Sequence, residues 1–490
     1  MCRTRSWRVV IAGLVVALPL LGCESAPPAL AWTDCGQLVP DGGDKFDVGC
    51  TTLAVPLDHN AAGKTISLKL IRIRHRQQTD RIGSLLINPG GPGASGVEFA
   101  GGFVTRASED LLKRFDVIGF DPRGVGESAP VRCNDDVDLD RALDFNEDMR
   151  APATRAVIEN ELRRVTASCK ARLGDSAQFF NTEATARDMD LIRSAVGDAK
   201  LTYAGFSYGA KLGATYAHLF PGTVRALVLD APSFPLVDDN STAERQLRGF
   251  EDAFDQFARD CATRPSCAEL GDLRALLTDL IAQAKTRPLT HENPDDRRRT
   301  SGGTMMFGVM SALYDNARWR PLEDALRLAR QGDGTTFFDL ADAGTGRRRD
   351  GTFPNTFDAS FVIGCNDGAV VRNDDEVAST AVRWSGEFPL FGGYLAHGLY
   401  GCRFWDVPRH PLVRPDAPGA PPVLVIGTLH DPATPYQGAV DLTAALGTGV
   451  LLTWEGEGHT AYLRSPCVDR VVDDYLVNVT VPEAGRRCPA

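Results

Sequence analysis

The chain has 490 residues, 43% of them hydrophobic and 24% charged, with a formal net charge of −11. It is longer than one minimal domain and has the composition of an ordinary globular protein. The acidic balance argues against a nucleic-acid partner, which would call for a basic face.

Arg3, Arg5 and Arg8 make a basic start, and the apolar run VVIAGLVVALPLLG follows. An apolar core of about 14 residues is short for a membrane span and predicts a signal peptide over 1–22. The run ends in LLGC, which resembles a bacterial lipobox and implies a lipidated Cys23 as the mature N-terminus. A plain cleavage site at Ala29–Ala31 stays open. Residues 23–44 are expected to form a linker. The protein is then exported, at the cell envelope or secreted, with a lipid anchor as its one membrane contact.

Of twelve cysteines, setting aside Cys2 and Cys23 leaves an even number in an exported chain, which suggests disulfides. Sequential local pairing predicts Cys35–Cys50, Cys133–Cys169, Cys261–Cys267, Cys365–Cys402 and Cys467–Cys488. With no C-x-x-C pair and few histidines near cysteine, no metal site is expected.

Short apolar runs at 51–55, 66–73, 84–88, 115–120, 201–206, 225–230, 422–428 and 450–456 read as strands. The middle ones are apolar throughout, as in a parallel sheet buried on both faces. Helical patterns lie between them, at 182–197 with Asn181 or Thr182 as cap, at 208–220 and at 435–447. This alternation predicts an α/β fold, a mostly parallel, about eight-stranded sheet with helices on both faces. It stops over 236–404, where amphipathic helices such as ERQLRGFEDAFDQFARDC are expected to form an inserted cap. The core then comprises 45–235 and 405–490. The arginine-rich joints NPDDRRRTSGG and GTGRRRDGT read as solvated loops.

In SLLINPGGPGASGVEF, Gly91, Gly93 and Gly96 spell G-x-G-x-x-G, with Asp116 about twenty residues on, the outline of a dinucleotide fingerprint. Its context argues otherwise. Pro89 and Pro92 remove two N–H donors a phosphate cradle would use. Further glycines (Gly101, Gly102) follow the third glycine, where a closely packed helix should open. Asp116 starts the next strand, where a ribose-binding acid would end it.

YAGFSYGAKLG holds G-x-S-x-G between an apolar strand and a helix. A serine there sits on a sharp turn, with helix N–H groups behind it. Ser207 is therefore the expected nucleophile. Of the eight histidines, His459 follows the last strand and can swing over the sheet edge as general base. His430 is a rival; His59, His75, His218 and His410 lack such a setting. Asp431 ends the preceding strand and can orient His459. Thr434 either caps the next helix or supports the Asp431 carboxylate. Ser, Asp and His in this chain order are expected of an α/β-hydrolase.

NPGGPG, FDVIGFDPRGVGES, YAGFSYGAKLG, GTLHDPATP and GEGHT together resemble the tripeptidyl-aminopeptidase branch of the prolyl-aminopeptidase family and related actinobacterial envelope carboxylesterases. The resemblance implies a cofactor-independent serine hydrolase acting on peptides with free N-termini, or on esters, through an acyl-enzyme. It implies Ser207, Asp431 and His459 as the triad and the N–H groups of Gly91 and Tyr208 as the oxyanion hole. Pro89 stands where single-proline-cleaving members carry histidine. Asp121 and Arg123 are expected to brace the loops. An aminopeptidase must also bind an α-ammonium, and Asp367, beside Cys365, is the candidate.

Overall fold

The computed structural model describes residues 30–39, 43–144, 152–233, 239–291, 298–368 and 373–490. The leader at 1–22 and Cys23 lie outside them. No helix among the described residues is long and apolar enough to cross a membrane.

Among the described residues ten strands form one sheet: β1 (Thr33–Asp34), β2 (Phe46–Pro56), β3 (Thr65–His75), β4 (Gly83–Asn88), β5 (Phe115–Phe120), β6 (Leu201–Phe206), β7 (Val224–Asp230), β8 (Val423–His430), β9 (Gly449–Glu457) and β10 (Arg487–Cys488). Their order is β1-β2-β3-β5-β4-β6-β7-β8-β9-β10. The β1–β2, β2–β3 and β3–β5 pairs are antiparallel, and pairing from β5 through β4 to β10 is parallel. This is the α/β-hydrolase arrangement, and each run read as a strand is one. The central strands β4, β5 and β6 are buried at every position because helices cover both faces. One apolar cluster packs Val97, Phe103, Leu111, Val472 and Leu476 on one face; the other packs Met189, Leu212, Tyr216 and Leu442 on the opposite face.

The segment expected as a linker, 23–44, contributes the edge strand β1 and the Cys35–Cys50 disulfide. The other disulfides are Cys133–Cys169, Cys261–Cys267, Cys365–Cys402 and Cys467–Cys488, the sequential pattern throughout.

Between β7 and β8 the chain builds a helical layer with its own core, which includes Phe250, Phe254, Phe257, Leu322 and Trp384. A second excursion, between β5 and β6, adds helices Asp136–Leu143 and Pro152–Leu173. From the latter, Ile158 packs with Val377 and Tyr400 of the insertion. The cap side therefore draws on two stretches of chain. The arginine-rich joints are not simply solvated. Arg347 pairs with Asp140 at 2.7 Å and Arg298 with Asp342 at 2.9 Å, tying the joints to helices.

Candidate active site

β6 runs straight into helix Tyr208–Leu219, and Ser207 at the junction has φ 58° and ψ −120°. That is a strained conformation for a non-glycine residue, costing on the order of 1–3 kcal/mol. Its N–H donates to the Asp230 carbonyl at 2.8 Å, which helps to hold the turn. Both flanking glycines are sterically required. A Cβ at Gly205 would lie 2.3 Å from the Gly209 carbonyl oxygen, and one at Gly209 would lie 2.5 Å from the Asn88 carbonyl oxygen.

The loop after β4 lies directly on this elbow. A Cβ at Gly90 would sit 2.4 Å from the Phe206 carbonyl oxygen and 2.9 Å from Tyr208 N. The Gly90 N–H is taken by Asn88 Oδ1 at 2.9 Å, whereas the Gly91 N–H makes no hydrogen bond within the loop. Tyr208 is the first residue of its helix, where no carbonyl of the same helix is in reach of its N–H. No partner within the protein is seen for either of these two main-chain donors, the kind of group that an oxyanion in acyl transfer requires.

Gly96 does open helix Gly96–Val104 close to β5: a Cβ there would lie 2.1 Å from the Phe120 carbonyl oxygen. The expectation that no closely packed helix starts at the third glycine is therefore wrong. Asp116 binds Gln78 at 2.7 Å and Arg81 at 3.1 Å, a structural role. Asp121 braces the loop as expected, accepting from Ser95 Oγ at 2.5 Å, Val97 N at 3.2 Å and Glu127 N at 2.9 Å. Arg123 is fully buried against Asp188 at 2.7 Å.

At the end of β8, Asp431 is 2% exposed. Its carboxylate accepts the N–H groups of Ala433 (2.8 Å) and Thr434 (2.9 Å) and the Thr434 hydroxyl (3.1 Å). His459 Nδ1 lies 2.9 and 3.0 Å from the two carboxylate oxygens. With Nδ1–H given to the carboxylate, the neutral ring keeps Nε2 as an acceptor. The His459 N–H donates to the Tyr314 carbonyl at 2.9 Å, and the Tyr314 ring stands edge-on to the imidazole at 5.1 Å. Tyr314 follows helix Gly302–Leu313, so the insertion places an aromatic ring beside His459. No hydrogen bond joins Ser207 to His459.

His430, the rival base, turns to the insertion instead. Its Nδ1 lies 2.7 Å from Asp252 and 2.8 Å from Gln256 Nε2. His59 pairs with Asp188 and His218 with Asp416, both structural. Asp367, expected to anchor an ammonium, is tied into the scaffold. Its carboxylate accepts the Thr182 N–H (2.9 Å) and hydroxyl (2.6 Å) at the start of helix Thr182–Ala195. The Thr182 hydroxyl also meets the Tyr208 hydroxyl at 2.6 Å. Burial pushes the Asp367 carboxyl up to about 6.

Sequence reasoning missed Asp230. It ends β7 fully buried, and its carboxylate accepts the N–H groups of Ala461 and Tyr462 just beyond His459. The available signal was an acid closing a strand in the row that also ends at Ser207 and Asp431.

A family model described as TAP-like protein matches residues 388–488. Serine protease Hip1 of Mycobacterium tuberculosis is 36% identical over 96% of both chains. Carboxylesterase B of the same organism is 35% identical over 99% of this chain and 97% of its own. Tripeptidyl aminopeptidase of Streptomyces lividans is 30% identical over 96% of this chain and 88% of its own.

Proposed function

The chain belongs to the tripeptidyl-aminopeptidase-like α/β-hydrolases, a family of serine hydrolases, and on that premise we propose that it is an exported exopeptidase releasing short peptides from free N-termini. The observation that carries the reading is the pairing of His459 Nδ1 with a buried Asp431 at 2.9 Å, at the same sheet edge as the strained Ser207. Ser207 Oγ attacks the scissile carbonyl while His459 Nε2 takes its proton. Asp431 holds the ring and stabilises the imidazolium, and the Thr434 hydroxyl supports Asp431. The N–H groups of Gly91 and Tyr208 receive the oxyanion. His459 then protonates the leaving amine, and water, deprotonated by the same ring, releases the acyl group.

Export follows from the leader at 1–22 and lipid anchoring from Cys23, both readings of the sequence. The inserted region, 236–404, acts as the lid that shapes substrate access.

The relative named carboxylesterase supports a second reading, an esterase acting with the same residues. A peptide library offered with free and with acetylated N-termini, beside short-chain esters, separates the two. The exopeptidase reading expects oligopeptide release that acetylation abolishes. Ester turnover with peptides untouched, or cleavage indifferent to acetylation, would overturn it.

A further inference from the structure

One residue outside the triad holds both the nucleophile's turn and the base's turn. The Asp230 main-chain carbonyl accepts the Ser207 N–H at 2.8 Å. Its carboxylate accepts the N–H of Ala461 at 3.0 Å and of Tyr462 at 2.8 Å. The next residue, Ala231, has φ 55° and donates its N–H to Ile426 of β8, the strand that leads to Asp431. Asp230 therefore links the ends of β6 and β7 to the turn beyond β9, and its neighbour Ala231 ties them to the middle of β8.

The turn that carries His459 needs an external hold. Thr460 (φ 68°) and Leu463 (φ 69°) both occupy left-handed backbone, which side-chain-bearing residues adopt at a cost. Upstream, the turn is fixed by the His459 N–H on the Tyr314 carbonyl. Downstream, the Asp230 carboxylate takes two successive N–H groups. A carboxylate accepting main-chain N–H groups makes stronger bonds than a neutral acceptor does.

We propose that Asp230 is a positioning residue for hydrolysis: its ionised carboxylate clamps the His459 turn and adds a second negative charge that favours the imidazolium. The proposal rests on the reading of Ser207 and His459 as nucleophile and base. The charged groups that face Asp230 are His459 beyond β9 and Asp431 at the end of β8. Burial pushes its carboxyl up to about 6; the Tyr462 and Ala461 N–H groups and His459 pull it back, and Asp431 pushes it further up. The clamp is therefore fully charged only above that pH.

The test is Asp230→Asn, which keeps the shape and removes the charge. kcat and KM are measured across pH beside the melting temperature. kcat is expected to fall about 10–100-fold with little change in KM. The acid limb of kcat/KM is expected to lose the component with a midpoint of about 6 that the Asp230 carboxyl contributes. A variant with an unchanged acid limb and kcat would overturn the proposal. So would one whose kcat falls only in step with lost stability, its pH profile superimposing on the wild type. If the variant does not fold, the wild-type enzyme decides. The amide resonances of Ala461 and Tyr462 in 15N-labelled protein should titrate with a midpoint of about 6. Flat resonances through that pH would overturn the clamp. Fluorophosphonate labelling of the wild type at Ser207 separates the two claims. Its absence refutes the hydrolase reading, while the amide titration still reports on the clamp.

Discussion

The turns that carry Ser207, Asp431 and His459 are held by different chemistry from the inserted helical region. At the sheet edge, short buried carboxylates grip main-chain N–H groups: Asp121 those of Val97 and Glu127, Asp230 those of Ala461 and Tyr462, Asp431 those of Ala433 and Thr434. In the insertion, arginines pair with acids of mixed burial: Arg274 with Glu251 and Asp255, Arg264 with Asp260 and the buried Glu323, and Arg298 with Asp342. A two-bond side chain on a main-chain donor leaves little freedom, as a catalytic geometry requires. Pairs between long side chains specify geometry less tightly, and salt screens the exposed ones. The sheet edge is thus fixed through main-chain groups, whereas the insertion adds side-chain pairs around its own apolar core.

Substitutions should divide along this line. Asp431→Asn keeps the shape but no longer fixes the His459 tautomer, so kcat should fall roughly 10⁴-fold. Steady-state kinetics with the melting temperature unchanged would check it; a loss under tenfold would place the acid elsewhere. Thr434→Val removes a hydroxyl bond to a charged oxygen and should lower kcat about 10–100-fold. An unaltered kcat would reduce Thr434 to a helix cap.

Asp367 tests the scaffold through pH. Its carboxyl is raised from 3.8 to about 6, burial being the first cause. The folded state therefore holds the proton more tightly than the unfolded state. The contribution is present at low pH and is lost as pH rises through that window. Asp367→Asn has no such titration, so the melting-temperature gap, wild type minus variant, should shrink between about pH 4 and pH 7. A gap independent of pH would contradict the assigned environment.

The cap should respond least. Arg274→Gln should cost no more than about 1 kcal/mol, the usual worth of a partly exposed pair, and leave kcat within about twofold. Thermal melts in low and high salt would check it, the difference closing as salt rises. A cost above about 3 kcal/mol would mean the cap is as rigidly specified as the sheet edge.

What was legible in the sequence follows the same line. β4, β5 and β6 announce themselves because burial on both faces makes each a nearly continuous apolar run. The Ser207, Asp431 and His459 positions were readable because each closes an element with its own pattern, and the structure brings Asp431 and His459 into contact. β1 and β10, two residues each, have no period to detect. Asp230 and Asp367 were opaque for another reason. Their partners lie far along the chain, Ala461 for one and Thr182 for the other, and no local spacing encodes such contacts. Gly96 misled because the glycines after it, Gly101 and Gly102, looked like helix breakers. In the structure Gly101 lies under the Leu38 carbonyl, 2.6 Å from where its Cβ would be, so that glycine serves close packing.

The central claim is that Ser207, on its strained turn, is the nucleophile activated at this sheet edge. It is tested most directly by treating wild type and Ser207→Ala with a fluorophosphonate probe and mapping the adduct by mass spectrometry. The account predicts one adduct on Ser207 in the wild type and no labelling of the variant, with kcat falling on the order of 10⁶-fold. Labelling that persists in Ser207→Ala, or an adduct on another residue, would contradict it.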